Sequence, residues 1–170
     1  MCRNAGIRVI MITGDNGVTA SSVARRIGID GGKVVTGDEM EQMTDEELGK
    51  AAAETSVFSR VVPEHKMRII KALQKNGETV AMTGDGVNDA PALKYADIGI
   101  AMGLRGSEVS REAADLILLD DNFMTIVETV KDGRRIYDNI RRAVGYIFTI
   151  QLPIILATML PPLFGTPASA

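Results

Sequence analysis

The chain has 170 residues, of which 45% are hydrophobic, and a formal net charge of −3. This length and composition suffice for one domain with its own core plus an appended element. Aromatic residues make up only 4% of the chain, whereas a nucleic-acid-binding surface needs a basic patch and stacking platforms, so nucleic acid is not expected as a partner. The single cysteine, Cys2, cannot form an intrachain disulfide, which favours a reducing, cytosolic compartment.

The first half of the chain alternates strand and helix patterns. In chain order we predict a strand over Ile7–Ile12, a helix over Val18–Ile29, a short strand at Val34–Val35, an acidic surface stretch of helix and loop over Asp38–Glu47, a strand over Val57–Ser59 and a helix from Pro63 through Lys75. The proline at the start of the last helix places Lys66 in its first turn.

The second half continues the alternation up to residue 121. We predict a strand over Thr79–Met82, a glycine-rich loop over Thr83–Asp89, a helix from Ala90 to Tyr95 and two strands, Ile98–Met102 and Leu116–Leu119. Alternating strands and helices with glycine-rich turns predict an α/β fold with a Rossmann-like, doubly wound and mostly parallel sheet. Such sheets bind ligands at the carboxyl ends of their strands, where both Thr-Gly-Asp tripeptides of this chain are expected.

The remaining chain is predicted to be a long helix that enters a membrane. Tyr146–Phe164 is apolar and carries no formal charge, and its length is close to the roughly 20 residues that span a bilayer. The alternative is a buried core helix of a soluble protein, and the presence of Gln151 and Pro153 is compatible with it. Arginines 134, 135, 141 and 142 precede the apolar run and nothing basic follows it, so residues 1–145 are expected on the cytosolic side.

Two groups of residues suggest phosphoryl chemistry. Asp85 and Asp89, four positions apart in a glycine-rich loop, are suited to Mg²⁺, which takes one or two carboxylates and shares its other positions with water and phosphate oxygens. Asn88 could donate to the same oxygens.

An anion site is suggested by the Thr13 hydroxyl, the unobstructed Gly14 N–H and the positive charge of Lys66. The alternative is that Asp15 and Asp85 only terminate strands and that Lys66 is solvated. His65 is expected at the surface without a role.

The longer string Met82-Thr83-Gly84-Asp85-Gly86-Val87-Asn88-Asp89-Ala90-Pro91-Ala92-Leu93 resembles the hinge signature of P-type ATPases, members of the haloacid-dehalogenase-like superfamily. Three further segments are similar to the phosphate-contacting motif, the catalytic-lysine segment and the start of the stalk of this family: Met11–Asp15, Pro63–Lys66 and Asp120–Phe123. The resemblance implies the end of a phosphorylation domain over 1–121, a stalk helix over 122–145, a transmembrane helix over 146–164 and a tail over 165–170.

The resemblance also implies roles for individual residues. Asp85 would bind Mg²⁺ with support from Asp89, and the phosphoryl group would be contacted by Thr13, Gly14, Lys66 and Asn88. Asp15 would join Thr13, Gly14 and Lys66 as a cofactor-binding residue. ATP would be the substrate, bound by a nucleotide-binding domain outside this chain, and its hydrolysis would drive transport of a cation.

One departure from the family concerns the nucleophile. These pumps phosphorylate the aspartate of an Asp-Lys-Thr-Gly-Thr motif, which does not occur in this sequence. In the family that motif ends the central strand of the sheet, and the nucleotide-binding domain is inserted after it. The chain is therefore expected to correspond to the segment after that insertion, to lack the N-terminal part of the pump and to be inactive alone. A sheet without its central strand has two unpaired edges, which predicts marginal stability or self-association.

A second departure is that Tyr146–Phe164 contains no Asp or Glu, although the calcium pumps that the chain resembles have a carboxylate in the corresponding helix. The transported cation is therefore not implied; Thr149, Gln151 and Thr158 are the polar groups available to it.

Three functions are compatible with these observations. The chain is a segment of a cation pump, a haloacid-dehalogenase-like phosphatase of small phosphate esters, or a non-catalytic fragment that binds Mg²⁺ and phosphate. The membrane helix favours the pump over the soluble phosphatase.

Overall fold

The computed structural model describes residues 2–29 and 32–163 and has the expected α/β architecture. Its strands are β1 (Met11–Ile12), β2 (Val34–Thr36), β3 (Val57–Ser59), β4 (Ala81–Gly84), β5 (Ile98–Met102) and β6 (Leu116–Leu118). Its helices are α1 (Gly17–Arg26), α2 (Gly37–Gln42), α3 (Asp45–Glu54), α4 (Pro63–Lys75), α5 (Ala90–Tyr95), α6 (Glu108–Ala113) and α7 (Phe123–Leu163). The chain divides into two units, Met1–Thr125 and Ile126–Ala170.

The strands of the first unit form two separate parallel sheets of three strands each, in the orders β1-β3-β2 and β4-β5-β6. In the first sheet Met11 and Val34 both pair with Val57, and in the second Ala81 pairs with Ile98. Within the described residues, β1 and β4 each have a strand neighbour on one side only. The expectation of an incomplete, mostly parallel sheet is confirmed.

Helix α4 packs both halves of the first unit together. Its residue Ile69 belongs to a core cluster with Phe58, Met40 and Leu48, whereas the next residue, Ile70, packs with Met82 and Leu93. Both isoleucines are at most 1% exposed, and full burial of such a side chain stabilises the fold by about 1.5–3 kcal/mol. The same helix therefore determines where Lys66, in its first turn, lies relative to both sheets.

Several predicted elements differ from the observed ones. The first strand is limited to Met11–Ile12 instead of extending from Ile7. Helix α1 ends at Arg26, since Gly28 has a φ of +76° that stops the helix. The acidic stretch from Asp38 to Glu47 forms most of α2 and the start of α3.

Strand β4 begins two residues later than predicted and includes Thr83 and Gly84. Helix α6, which the sequence analysis did not predict, begins after Ser107, whose hydroxyl accepts a hydrogen bond from the Ser110 amide at 3.1 Å.

Helix α7 contains, within Phe123–Leu160, an apolar stretch long enough to cross a membrane by length and composition. All of its residues from 131 to 160 are exposed in this structure, so the described part of the chain does not bury this stretch as a core helix. The proposed boundaries at residues 121, 145 and 164 remain predictions, and Phe164 and the tail 165–170 lie outside the described residues.

Candidate functional site

The first Thr-Gly-Asp tripeptide forms a loop that is anchored to the end of β3. The Thr13 N–H donates to the Phe58 carbonyl at 3.0 Å, and the Thr13 carbonyl accepts from the Val61 N–H at 3.0 Å. The Asp15 carbonyl accepts from Arg60 N–H at 2.9 Å, and the Asp15 N–H donates to the Thr13 hydroxyl at 3.1 Å. Gly14, at the tip, is exposed to solvent, so an anion can reach its backbone.

The Lys66 side chain reaches from the first turn of α4 to the loop that follows β4. Pro63 opens this helix, where its missing N–H costs no hydrogen bond. The Lys66 ammonium donates to Oδ1 of Asp89, and the two side chains are only 20% and 11% exposed. The sequence alternative of a fully solvated lysine does not describe this arrangement.

Asp89 is packed into its loop as well as paired. Its other oxygen, Oδ2, accepts from the Gly86 N–H at 3.3 Å, and its own N–H donates to the Gly86 carbonyl at 3.0 Å. A Cβ atom at Gly84 would lie 2.6 Å from the Cβ of Asp89. Glycine at position 84 therefore lets the end of β4 come close to the Asp89 side chain.

Asp85 has a different environment from Asp89. Its side chain is exposed, and it forms no hydrogen bond or ion pair with the part of the chain that the structure describes. Its backbone carbonyl is held from the other side, by the Ser107 N–H at 2.8 Å and the Ser110 hydroxyl at 3.2 Å. At the carboxyl end of β4, the backbone of Asp85 is thus fixed by hydrogen bonds while its carboxylate oxygens are free. Asn88, three residues on, is also exposed.

The two loops are connected through the segment that leads into α4. Val61 is bonded to Thr13, and Lys66, five positions later in the chain, is bonded to Asp89. The structure thereby brings Lys66 and Asp89 into contact, and the segment that leads to Lys66 is hydrogen-bonded to the Thr13 loop. Among the described residues it forms no cluster of three or more His, Cys, Asp or Glu side chains.

These residues fit Mg²⁺ on the chemistry of their donors. Mg²⁺ binds hard oxygen ligands, keeps several waters and takes only one or two protein carboxylates together with phosphate oxygens. Asp85 offers a carboxylate with both oxygens available, while Asp89 has both oxygens engaged by Lys66 and Gly86. A sparse site of this kind leaves room for water and a phosphoryl group.

His65 is buried, so its expected surface position was wrong. Its side chain is 8% exposed, and its Nε2 lies 3.6 Å from a Glu41 carboxylate oxygen. Nδ1 has no hydrogen-bond partner among the described residues. A Cβ at Gly37 would lie 3.1 Å from Nδ1 and 2.2 Å from the Arg60 carbonyl oxygen. Glycine at this position, the first residue of α2, therefore allows His65 to pack closely there.

Sequence reasoning missed Ser107 and Ser110, which hold the backbone of Asp85. A serine followed by a helix-compatible run beginning with Glu108 is an N-cap pattern, and it was the available signal for α6. No sequence pattern indicates that this cap also contacts a loop more than 20 residues upstream.

Comparisons with known proteins agree with this geometry. The model of the haloacid dehalogenase-like hydrolase family matches residues 2–97, more than half of the chain. A second model with the same description matches residues 66–129.

The chain is 46% identical over 168 residues to a calcium-transporting ATPase of Bacillus subtilis, covering 98% of this chain and 19% of that protein. It is 50% identical over 159 residues to a calcium-transporting ATPase of Listeria monocytogenes, covering 92% of this chain and 18% of that protein. The chain thus spans about a fifth of the length of these relatives.

A solved structure of a zinc-transporting PIB-type ATPase in an E2.Pi state covers 97% of this chain and 22% of its own, with a TM-score of 0.67 and 28% identity. Fold, motif positions and these likenesses lead to one assignment. The chain belongs to the haloacid dehalogenase-like hydrolase family, and over nearly all of its length it is similar to one segment of the P-type ATPases.

Proposed function

We propose that this chain is the part of an ATP-driven cation pump that binds Mg²⁺ and the phosphoryl group while an aspartyl-phosphate forms and is hydrolysed. The observation that carries the proposal is the Asp85 carboxylate, held through its backbone at the end of β4 with its oxygens free. Asp89, in the same loop as Asp85, forms a largely buried ion pair with Lys66. A free hard ligand together with a positioned cation suits phosphoryl transfer.

Each residue has a proposed role. Asp85 is the direct Mg²⁺ ligand, and the bound metal neutralises charge on the phosphoryl oxygens. Asp89 supports the site by holding the Lys66 ammonium, which offers positive charge to the transferring group. Thr13 and Gly14 donate to phosphoryl oxygens, Asp15 stabilises their loop through its backbone, and Asn88 donates from the opposite loop.

The nucleophile of the reaction lies outside these 170 residues. The sequence contains no Asp-Lys-Thr-Gly-Thr motif, so ATP, the phosphorylated aspartate and the nucleotide-binding domain belong to the remainder of the pump. The chain alone is expected to bind Mg²⁺ and phosphate without turnover.

The membrane part of the proposal rests on α7. A helix that is apolar and exposed over residues 143–160 is suited to cross a bilayer. The arginines before this stretch favour a cytosolic position for residues 1–145. The cation itself is left open, since the relatives are named for calcium and for zinc.

The test is Asp85→Asn in the complete pump. Loss of the anionic ligand is expected to lower Mg²⁺-dependent phosphoenzyme at least about 100-fold, measured with radiolabelled ATP and acid quenching. Asp97→Asn is the matched control, because Asp97 caps the Val80 N–H at 2.8 Å at the other end of the second sheet. Undiminished phosphoenzyme in Asp85→Asn would overturn the assignment.

A stand-alone phosphatase remains the second candidate, favoured by the hydrolase description of the matching family. It too requires a nucleophile that this chain lacks, and it would not need α7. Hydrolysis of p-nitrophenyl phosphate by the 170-residue chain in the presence of Mg²⁺ would favour the phosphatase. No hydrolysis, together with Mg²⁺ binding, fits the pump segment or a non-catalytic fragment.

A further inference from the structure

The two aspartates that precede α7 make different contacts. Asp121 accepts from the Leu104 N–H at 3.0 Å through Oδ1, and from the Arg105 N–H at 2.9 Å and Arg105 Nε at 3.2 Å through Oδ2. Its side chain is only 9% exposed. Asp121 thus holds the backbone of the loop between β5 and α6, although it lies 16 or more positions away in the chain.

That loop leads directly to the residues that hold Asp85. Only Gly106 separates Arg105 from Ser107, and the Ser107 N–H donates to the Asp85 carbonyl at 2.8 Å. Ser110, which is fully buried, adds its hydroxyl to the same carbonyl at 3.2 Å. A continuous series of contacts therefore runs from the main chain of Asp85, through Ser107 and the 104–105 backbone, to Asp121.

Two properties of Asp121 indicate that its position is constrained by these contacts. Its φ is +52°, in the left-handed region that residues other than glycine rarely adopt and that persists where surrounding contacts enforce it. Burial raises the pKa of its carboxyl, but hydrogen bonds from Leu104 and Arg105 outweigh this effect and leave the pKa below its usual value. The carboxylate is therefore ionised at neutral pH, and the hydrogen bonds that it accepts are charge-assisted.

We infer that Asp121 is a positioning residue for Asp85, acting through the 104–105 backbone and Ser107. Because Asp121 lies two residues before Phe123, the first residue of α7, the same contacts join the root of the candidate Mg²⁺ ligand to the start of the membrane helix. The effect on Mg²⁺ rests on the proposed function; the hydrogen-bonded link itself does not.

Asp120 provides a matched control within the chain. Its Oδ1 accepts from the Asn122 N–H at 3.1 Å and its Oδ2 from the Thr125 hydroxyl at 2.9 Å. Asn122 directly precedes α7 and Thr125 lies in its first turn. The carboxyl pKa is again lowered by the hydrogen bonds that it accepts from Asn122 and Thr125. Asp120→Asn removes the same charge at the neighbouring position without removing a contact to the β5–α6 loop.

The experiment compares the ¹⁵N-labelled 170-residue chain in detergent with its Asp121→Asn and Asp120→Asn variants. Asp121→Asn is expected to raise amide exchange at Ser107 about ten-fold, because the loop opens locally. The amide of Ile69, in the core of α4, reports global stability and is expected to keep its exchange rate. Mg²⁺ affinity, followed at the Gly86 amide, is expected to fall about ten-fold in Asp121→Asn and to stay within about two-fold in Asp120→Asn.

The outcomes separate this inference from the proposed function. Equal Ser107 exchange and equal Mg²⁺ affinity in wild type and Asp121→Asn would overturn the positioning role alone. A parallel rise at Ser107 and Ile69 would also overturn it, since the variant would then act on the whole fold. A wild-type chain whose Gly86 amide does not respond to Mg²⁺ would overturn the proposed metal site, while Ser107 exchange would still decide the link.

In the complete pump the same variants are compared by the Mg²⁺ concentration that gives half-maximal phosphoenzyme. A higher requirement in Asp121→Asn than in Asp120→Asn supports the positioning role, and equal requirements contradict it.

Discussion

Lys66 and Asp89 form an ion pair that is neither fully exposed nor fully buried. Exposed pairs stabilise proteins by only about 0–1 kcal/mol, whereas removing one member of a buried pair costs about 3–5 kcal/mol because the other charge is left without a partner. With side-chain exposures of 20% and 11%, this pair lies nearer to the buried case. The ion pair that positions the Lys66 ammonium should therefore also contribute to folding.

Lys66→Met and Asp89→Asn, made singly, are each expected to lower the free energy of unfolding by about 3 kcal/mol, because each leaves one uncompensated charge. The double variant is expected to lose less than the sum of the two, by about 2 kcal/mol. Urea unfolding of the 170-residue chain, followed by circular dichroism, measures all four corners of the cycle. Additive losses would show that the two charges do not interact.

At the residue scale the sequence predicted where the candidate site residues lie in the fold but not what they contact. Asp85 and Lys66 could be identified because their local motifs place them after a strand and in a first helical turn. The burial of His65 depends on Gly37, in a helix that precedes it by almost 30 positions. The contact of Asp121 with Leu104 is equally non-local, and a single sequence carries no signal for either.

Helices α2 and α3 begin with the same capping arrangement. The Thr36 hydroxyl accepts from the Glu39 N–H at 3.2 Å, while the Glu39 carboxylate accepts from the Thr36 N–H at 2.7 Å. Thr44 and Glu47 repeat the arrangement at 3.3 and 2.8 Å. Hydrogen bonds from the two threonines hold the pKa of each glutamate below its usual value.

These lowered pKa values predict a loss of stability in acid. A carboxyl whose pKa is lower in the folded state stabilises the fold at any pH above its unfolded value, about 4.3 for Glu, and this contribution disappears as the pH falls through the folded value. The urea midpoint of the wild type should therefore decrease as the pH falls below about 4.3. Glu39→Gln combined with Glu47→Gln should decrease less, since Gln retains the cap without titrating. Identical pH profiles would contradict the prediction.

Helix α7 is expected to insert into a bilayer through residues 143–160. Ile150→Arg places a charge near the centre of that stretch and should oppose insertion by about 2.5–3.5 kcal/mol. Ile136→Arg is the control, because Ile136 is also exposed but lies among the charged residues before the stretch. Resistance of the chain to alkaline extraction from membranes measures the difference. Equal extraction of both variants and wild type would argue against a span.

Element types were easier to predict than element limits. Pro63 marks the beginning of α4 correctly, because proline is suited to the first turn of a helix. The apolar run from Ile7 suggested a longer strand than Met11–Ile12, since periodicity reports burial but not which residues have a strand to pair with. β1 pairs only with β3 in the described structure, and its length is set by that single partner.

The two separate sheets have consequences for the whole molecule. In the part of the chain that the structure describes, β1 and β4 each pair with a strand on one side only, and exposed strand edges promote pairing with other chains. The family resemblance implies that a strand ending in Asp-Lys-Thr-Gly-Thr lies between β1 and β4. This strand would be supplied by the rest of the pump.

The 170-residue chain in detergent is therefore expected to self-associate with increasing concentration, measured by sedimentation velocity. Ala81→Lys places a charge on the exposed edge strand β4 and should reduce association. Ala53→Lys makes the same change on an exposed position of α3 and should not. A chain that stays monomeric at all concentrations, or that responds equally to both variants, would contradict an edge-mediated contact.

The strands of the two sheets are also synthesised at different times. All strands of the first sheet lie within residues 11–59 and all strands of the second within residues 81–118, so neither sheet waits for the other to obtain its pairing partners. At a synthesis rate of about 5–20 residues per second, the ribosome completes the second set roughly 3–12 s after the first. Short loops close quickly by comparison. A ribosome-bound chain can thus form its first sheet before the last strand of the second, Leu116–Leu118, has been translated.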